Sequence, residues 1–566
     1  MENLRLVLLF ALGFILLLLW QAWNEDYGQK QQAPAVANER PETPATPSPA
    51  AGGVPSTPQI TASNAPSATV PATPTAGGSA EGQVAVTTDL FTLDIDLRGG
   101  SILNLLLNDY PVSLEQQEQK FQLLKPSEPG LFVAQSGLIG AEGSEAPTHE
   151  SVYRASGSQF VMEDGKDSLS VDLNWTGESG IEVTKRFTFT RGSYRVRVDH
   201  EVRNAGATQW SGREYRQLVR GRPAEKTGSS FIYTYTGGAI YSPEEKYEKI
   251  SFDDMDESKL SLDVTDGWIA MLQHYFLAAW VPPTTQEDHF YSNVLPGGRY
   301  VLGAYTPSTT LSPAADYTFS SSFVAGPKLQ DELEAIAPGL ELSVDYGWLT
   351  VIAKPIFWLL KQIQSVVGNW GWSIILLTLI IKLVFFKLSE TSYKSMANMR
   401  KMTPRIQALK DRYGDDKQRL NQAMMDLYKK EKINPLGGCL PIVVQIPVFI
   451  ALYWVLLESV ELRQAPFIFW IRDLSIKDPY FVLPLIMGVS MFIQQKLNPA
   501  PPDPMQAKIM MSLPFVFTIF FAFFFRPDWF CTGSPTMCFP SPSSGTSRGR
   551  SRKPADSPWS ARSRTA

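Results

Sequence analysis

Two hydropathy patterns divide the 566-residue chain. Between residues 84 and 340, apolar and polar positions alternate in short runs. Examples are Phe91–Leu97 (FTLDIDL), Leu169–Trp175 (LSVDLNW), Ile181–Thr190 (IEVTKRFTFT) and Tyr194–Val202 (YRVRVDHEV). A period of two turns one face of a strand toward a core. Gly-containing turns separate many of the runs, so this stretch reads as one β-rich domain, a twisted β-sandwich. Elsewhere the apolar residues are continuous. The run within Leu4–Trp23 is long enough to span a bilayer, and further spans fall at about 370–388, 436–457, 480–496 and 509–525.

Flanking charge orients these spans. Arg5 precedes the first run, while Glu25 and Asp26 follow it. The h-region is too long for a cleaved signal and no small-residue cleavage site follows, so residues 1–27 read as a transmembrane signal anchor with its N-terminus inside. Residues 28–83 are Pro, Ala, Thr and Ser with almost no large apolar side chains, which makes them a linker. Within 345–367, Trp348, Ile352, Ile356, Leu359, Leu360 and Ile363 recur at helical spacing, as in an amphipathic helix lying in the outer interface, with Pro355 expected to kink or restart it. Residues 389–434 are strongly basic and therefore cytoplasmic. They read as a helical hairpin, with Gly414-Asp415-Asp416 as its turn and second N-cap.

Composition narrows the chemistry. Net charge is −5, so nothing global points to nucleic acid. The three cysteines, Cys439, Cys531 and Cys538, show no zinc spacing, and neither a P-loop nor a dinucleotide fingerprint is present. No cofactor is expected. The four histidines, His149, His200, His274 and His289, are scattered and read as ordinary core or surface residues rather than a sugar-processing site.

The candidate functional residues are polar groups inside the spans. Trp370–Lys387 reads WGWSIILLTLIIKLVFFK, apolar except for Thr378 and Lys382, which lie four apart on one helix face. An ammonium within a span is costly and marks a functional hypothesis. Its alternative is plain. Lys382 lies about 7.5 Å along the axis from Lys387, at ~1.5 Å per residue, so its stem can snorkel to the inner interface. Spacing alone leaves both readings open. Gln445 puts an amide into a Gly- and Pro-interrupted span, which snorkelling does not explain. Ser490, Gln494 and Thr518 add polar groups to the last two spans. Arg400, Lys401, Arg405, Lys410 and Arg412 supply the hairpin's contacts, with a ribosome, anionic lipid or a client as candidate partners.

Four runs carry a family resemblance. They are Asn369-Trp370-Gly371-Trp372-Ser373, Gly414-Asp415-Asp416-Lys417-Gln418, Asn434-Pro435-Leu436-Gly437-Gly438-Cys439 and Val460-Glu461-Leu462-Arg463-Gln464-Ala465-Pro466. In this order they resemble the YidC/Oxa/Alb family of membrane protein insertases, Gram-negative type, over residues 1 to 525. The resemblance implies a multi-domain membrane protein of the bacterial inner membrane, not an enzyme. Its parts would be an α-helical polytopic membrane core (368–525) and a periplasmic all-β supersandwich domain of mutarotase type. It also implies a hydrophilic groove with one essential positive charge, at the position Lys382 occupies. Nascent membrane proteins would be its clients, with the Sec translocon, SecD–SecF and membrane lipids as partners and no nucleic-acid specificity.

The family pattern demands one more span after residue 525, but residues 526–566 are polar and proline-rich and cannot span. Suitable codons for residues 526–547, read one frame over, encode such a span. A frameshift near Phe525, in the gene or in its sequencing, is the expectation. A DNA read or C-terminal peptide masses decide it, and a clean in-frame read removes the sequencing error. A transporter or channel with a ligand-binding β-domain is the alternative function, although no inverted repeat is visible.

Overall fold

The computed structural model describes residues 82–141, 144–223, 234–414, 416–431, 440–476, 478–497 and 504–524. The anchor at 1–27, nearly all of the 28–83 linker and the 526–566 tail lie outside them.

Among the described residues, the alternating segments form two large sheets, one of eleven strands and one of nine. The strands read from sequence are there: Phe91–Asp96, Ser168–Thr176, Ile181–Thr190 and Arg195–Asn204. Every second side chain of Phe91–Asp96 and of Ile181–Thr190 is buried, as a period of two requires. In the first sheet, Trp210–Gly221 lies antiparallel between Phe132–Gly140 and Arg299–Tyr305. In the second, Arg195–Asn204 lies antiparallel between Ile181–Thr190 and Asp316–Pro327. The sheets pack face to face, since Leu138 and Trp210 of the first share a cluster with Ile181, Val183, Val202 and Phe319 of the second. Phe276–Val281 is buried at every position. One reason is a further cluster in which Leu277, Ala279 and Val281 meet Leu333, Ala337 and Leu340. Leu333 belongs to a short helix, Gln330–Ile336, which is α2; α1 is Phe252–Glu257.

Between the sheets lies a charged layer rather than a uniform apolar core. Lys185 is fully buried and donates to the Gly99 and Ser136 carbonyls, both at 2.9 Å. Arg216 pairs with Asp288 and stands 3.6 Å from Glu214, while Glu214 also meets His200 at 2.9 Å. Breaking such a pair is far more damaging than its net contribution suggests, because the orphaned charge stays buried. Each histidine has a local partner: His149 with Tyr215, His200 with Glu214, His274 with the Leu457 carbonyl and His289 with Asp263.

Among the described residues, seven α-helices follow: α3 (Thr350–Val367), α4 (Trp370–Val384), α5 (Phe386–Tyr413), α6 (Lys417–Lys430), α7 (Leu440–Glu458), α8 (Val482–Leu497) and α9 (Pro504–Phe524). Three sequence expectations change. The helix does not restart at Pro355 but continues through it, with one backbone bond missing. The stretch 370–388 is divided at Phe385, whose φ of −86° and ψ of 5° end α4 after 15 residues. Pro447 lies inside α7 rather than interrupting it. Among the described residues, no helix is long and apolar enough to cross a membrane.

The β-domain and the helices are joined through the loop after α7. Arg463, almost completely buried, donates to the Pro111 carbonyl at 2.6 Å and the Val112 carbonyl at 3.3 Å. Its guanidinium also lies 5.9 Å from the Phe121 ring and 5.8 Å from the Phe276 ring. Gln464 donates to the same Pro111 carbonyl at 2.9 Å, from a left-handed backbone with φ 59°. Hydrogen bonds from a charged donor contribute about 1.5–3 kcal/mol each, more than an exposed ion pair would.

The buried lysine yields a pH dependence. Burial pushes Lys185 down from 10.5 to about 7, with Glu214 opposing the fall. Between those two values the unfolded chain holds a proton that the folded chain has released, so stability rises with pH across this window. Below about pH 7 both states are protonated and the full desolvation penalty applies. The thermal midpoint of the detergent-solubilised chain, compared with Lys185→Met between pH 6.5 and 10.5, should show this difference. The gap between the two should change steadily with pH, the wild type gaining. A constant gap would mean that burial does not lower Lys185 below its ordinary value.

Candidate functional site

The site is built on α4 and α7. Asn369 starts α4: its side chain accepts from the Trp372 amide at 3.2 Å, a normal N-cap. The same side chain donates to the Pro466 and Phe467 carbonyls at 3.1 and 3.3 Å. Gly371 is required here, since a Cβ on it would meet the Phe467 ring at 2.0 Å. Two of the four sequence runs that carry the resemblance therefore touch each other. Farther along, Leu377 and Ile381 of α4 are buried with Leu360 of α3 and Ala451, Leu452 and Val455 of α7.

Lys382 follows Ile381 and is exposed. Its ammonium lies 5.0 Å from the centroid of the Phe449 ring on α7. Four residues before Phe449, on the same helix face, is Gln445. The Gln445 amide nitrogen is buried and has no hydrogen-bond partner among the described residues. Gln445, Ile446, Phe449, Ile450 and Tyr453 line an open pocket of about 430 Å³. The arrangement offers a cation and an unsatisfied amide beside an apolar wall, which suits a guest with a short polar segment joined to an apolar one.

The other sequence candidates are placed differently. The hydroxyls of Thr378, Ser490 and Thr518 each donate to a carbonyl on their own helix, at Ile375, Met487 and Pro514, all at 2.7 Å. A hydroxyl closed in this way tolerates apolar surroundings but has given up its donor. Gln494 is exposed on α8. α8 and α9 pack chiefly on one another. Gly488 of α8 lies against Thr518 of α9, where a Cβ would lie 2.0 Å from Thr518 Oγ1. Thus Lys382 and Gln445 meet through Phe449, while Ser490, Gln494 and Thr518 belong to a separate helix pair.

In the hairpin, Asp416 caps α6 by accepting from the Gln418 and Arg419 amides at 3.2 and 3.0 Å. Arg405 pairs with Glu431 at 2.5 Å across the two helices, and Arg412 lies over the Tyr413 ring at 5.4 Å. The side chains of Arg400, Lys401 and Lys410 lie outside the described residues. The sequence reading missed Phe449 and Tyr453. Their spacing of four and eight from Gln445 was the available signal.

Comparison with known proteins gives matches along most of the chain. The sequence profile described as "YidC periplasmic domain" matches residues 83–359, and that described as "60Kd inner membrane protein" matches residues 362–526. The membrane protein insertase YidC of Thioalkalivibrio sulfidiphilus is 52% identical over 537 residues, covering 93% of this chain and 94% of its own. The protein of the same description from Methylococcus capsulatus is 52% identical over 527 residues, covering 93% and 94%. Among solved structures, a galactose mutarotase related enzyme from Lactobacillus acidophilus is 9% identical, with a TM-score of 0.30, over 43% of this chain and 97% of that one. So slight a likeness carries no argument.

The Gly488–Thr518 contact predicts a compensating pair. Gly488→Ala should destabilise the α8–α9 pair by about 1–3 kcal/mol through overpacking. Adding Thr518→Ala should recover most of that loss, since it removes the nearest atom. Thermal unfolding of both variants in detergent checks this; additive losses would contradict the contact.

Proposed function

The chain belongs to the YidC family of membrane protein insertases, and on that premise we propose that Lys382 and Gln445 form the polar lining of its client groove. It is an inner-membrane protein that inserts nascent membrane proteins, and it is not an enzyme. The observation that carries the groove reading is the Lys382 ammonium turned onto α7, beside an unsatisfied Gln445 amide and an open pocket.

The mechanism is solvation rather than bond chemistry. A polar group entering hydrocarbon without a partner costs several kcal/mol. The groove supplies partners for a client's short polar tail, so the tail crosses only part of the barrier. An acidic residue in the tail pairs with Lys382. The client's apolar helix moves along the lipid-facing sides of α7 and α9, and its burial in lipid drives release. Exposed apolar side chains support that path, among them Val444, Ile446, Phe515, Val516 and Ile519. Thr378, Ser490, Gln494 and Thr518 line the route through their helix positions, their hydroxyls already closed on backbone where bonded.

In this reading the spans are those at about 370–388, 436–457, 480–496 and 509–525, the N-terminus is cytoplasmic and the 84–340 domain periplasmic. The two facing sheets suit the supersandwich that the family resemblance implies. α3 lies in the outer interface, with its Val351 and Trp358, and Trp348 in the turn before it, exposed for headgroup contact. Arg400, Lys401, Arg405, Lys410 and Arg412 make the hairpin the docking point for a ribosome or anionic lipid. The Sec translocon and SecD–SecF are the membrane partners. The family match ends at residue 526, which fits a frameshift near Phe525.

Substitution of Lys382 tests the groove. Insertion of a single-span client with an acidic outer tail into proteoliposomes should fall at least about tenfold in Lys382→Met, the equivalent of ~1.4 kcal/mol. Lys382→Arg should retain it, because the charge remains. Undiminished insertion by Lys382→Met would overturn the assignment.

A further inference from the structure

A lysine five residues from Lys387, at the inner end of its helix, has an obvious place to go. Its stem can extend to the interface, where water hydrates the ammonium. The Lys382 ammonium is instead found over the Phe449 ring, at 5.0 Å from the centroid. That distance lies within the ~6 Å over which the ring quadrupole attracts a cation. The ion pairs of the neighbouring basic residues, Lys361 with Asp331 and Lys387 with Glu390, do not extend to it. Thr378, one turn earlier, offers no lone hydroxyl proton, since it donates to the Ile375 carbonyl. Phe449 is thus the partner that holds the ammonium against α7 and against the pocket.

We propose that Phe449 is a positioning residue that parks the Lys382 ammonium at the pocket while no client is present and yields it to a client's carboxylate. The proposal rests on the groove reading of Lys382. The order of energies gives the handover its direction. A cation over a ring is held more weakly than a cation hydrogen-bonded to a carboxylate in the same surroundings. A carboxylate arriving in the pocket therefore takes the ammonium from the ring, while an amide of the same shape competes poorly. Without the ring, the ammonium spends its time at the interface, and the acidic tail must retrieve it from there. Phe449 then acts on the preference for acidic over neutral tails, not on insertion in general.

The test uses the full chain in proteoliposomes of phosphatidylethanolamine and phosphatidylglycerol. Two single-span clients differ only in one outer-tail residue, Asp in one and Asn in the other, and the ratio of their insertion is read. In Phe449→Leu, which keeps the apolar wall, the ratio should fall about threefold to tenfold. In Phe449→Trp, which offers a stronger ring, it should be kept or raised. In Lys382→Met the ratio should collapse to about one, and adding Phe449→Leu should leave it there. The Asn client reports on folding and the general path in every variant. Equal losses for both clients in Phe449→Leu, with the ratio unchanged, would overturn the proposal and leave Phe449 an apolar wall. A ratio insensitive to Lys382→Met would overturn the groove reading itself.

Discussion

A charge taken out of water must be met by something else, and this constraint shapes both halves of the chain. In the β-domain the answer is enclosure with most charges paired, although Glu214 Oε2, Arg216 Nε and Nη1 and His200 Nε2 have no hydrogen-bond partner among the described residues. Lys185 reaches two carbonyls, and Arg216 lies between Asp288 and Glu214. In the helices the answer is left partial. Among the described residues, Lys382 lies over the face of the Phe449 ring and the Gln445 amide nitrogen has no hydrogen-bond partner. The unsatisfied atoms of the β-domain are sealed between the sheets, with Lys185, His200, Glu214 and Arg216 fully buried, whereas an unsatisfied amide beside an open pocket can receive a guest. The contrast between these two solutions separates scaffold from site.

The loop after α7 makes one unit of the two. Asn369 and Gly371 bring the start of α4 against Pro466 and Phe467. Three residues earlier, Arg463 reaches back to the strand Ile102–Pro111 of the β-domain. His274 adds a bond to the Leu457 carbonyl at the end of α7 at 3.0 Å, and burial together with the nearby Lys328 charge pushes it down to about 3, so it stays neutral. The first turn of α4 and the last turn of α7 are therefore held by the β-domain side. The other end of α4, where Lys382 sits, carries fewer buried positions. Under the proposed function, that less enclosed end is where a client would enter.

How much of this was legible depended on the kind of signal. Alternation located the strands because a sheet with one buried face must write its period into the sequence. Asp416 was readable as a cap because few residue types can satisfy a helix N-terminus. The ending of α4 at Phe385 was not readable, since nothing in an apolar run marks a break without Gly or Pro. Pro355 and Pro447 do not end their helices, each of which continues past one missing backbone bond. Lys382 and Gln445 stood out as polar residues in apolar company. Phe449 did not, because its spacing of four from Gln445 is a weak mark in a helix where most neighbours are apolar, and only the cation on its face singles it out.

The central claim is that a client's polar tail passes along α7 at Gln445 instead of through the lipid-facing surface. A photo-crosslinking residue placed at Gln445, and in a parallel preparation at the exposed Ile486 of α8, would report this during insertion of a single-span client. Capture of the client's outer tail from position 445, with little or none from 486, is the predicted result. Equal capture from both positions, or capture from 486 alone, would contradict it.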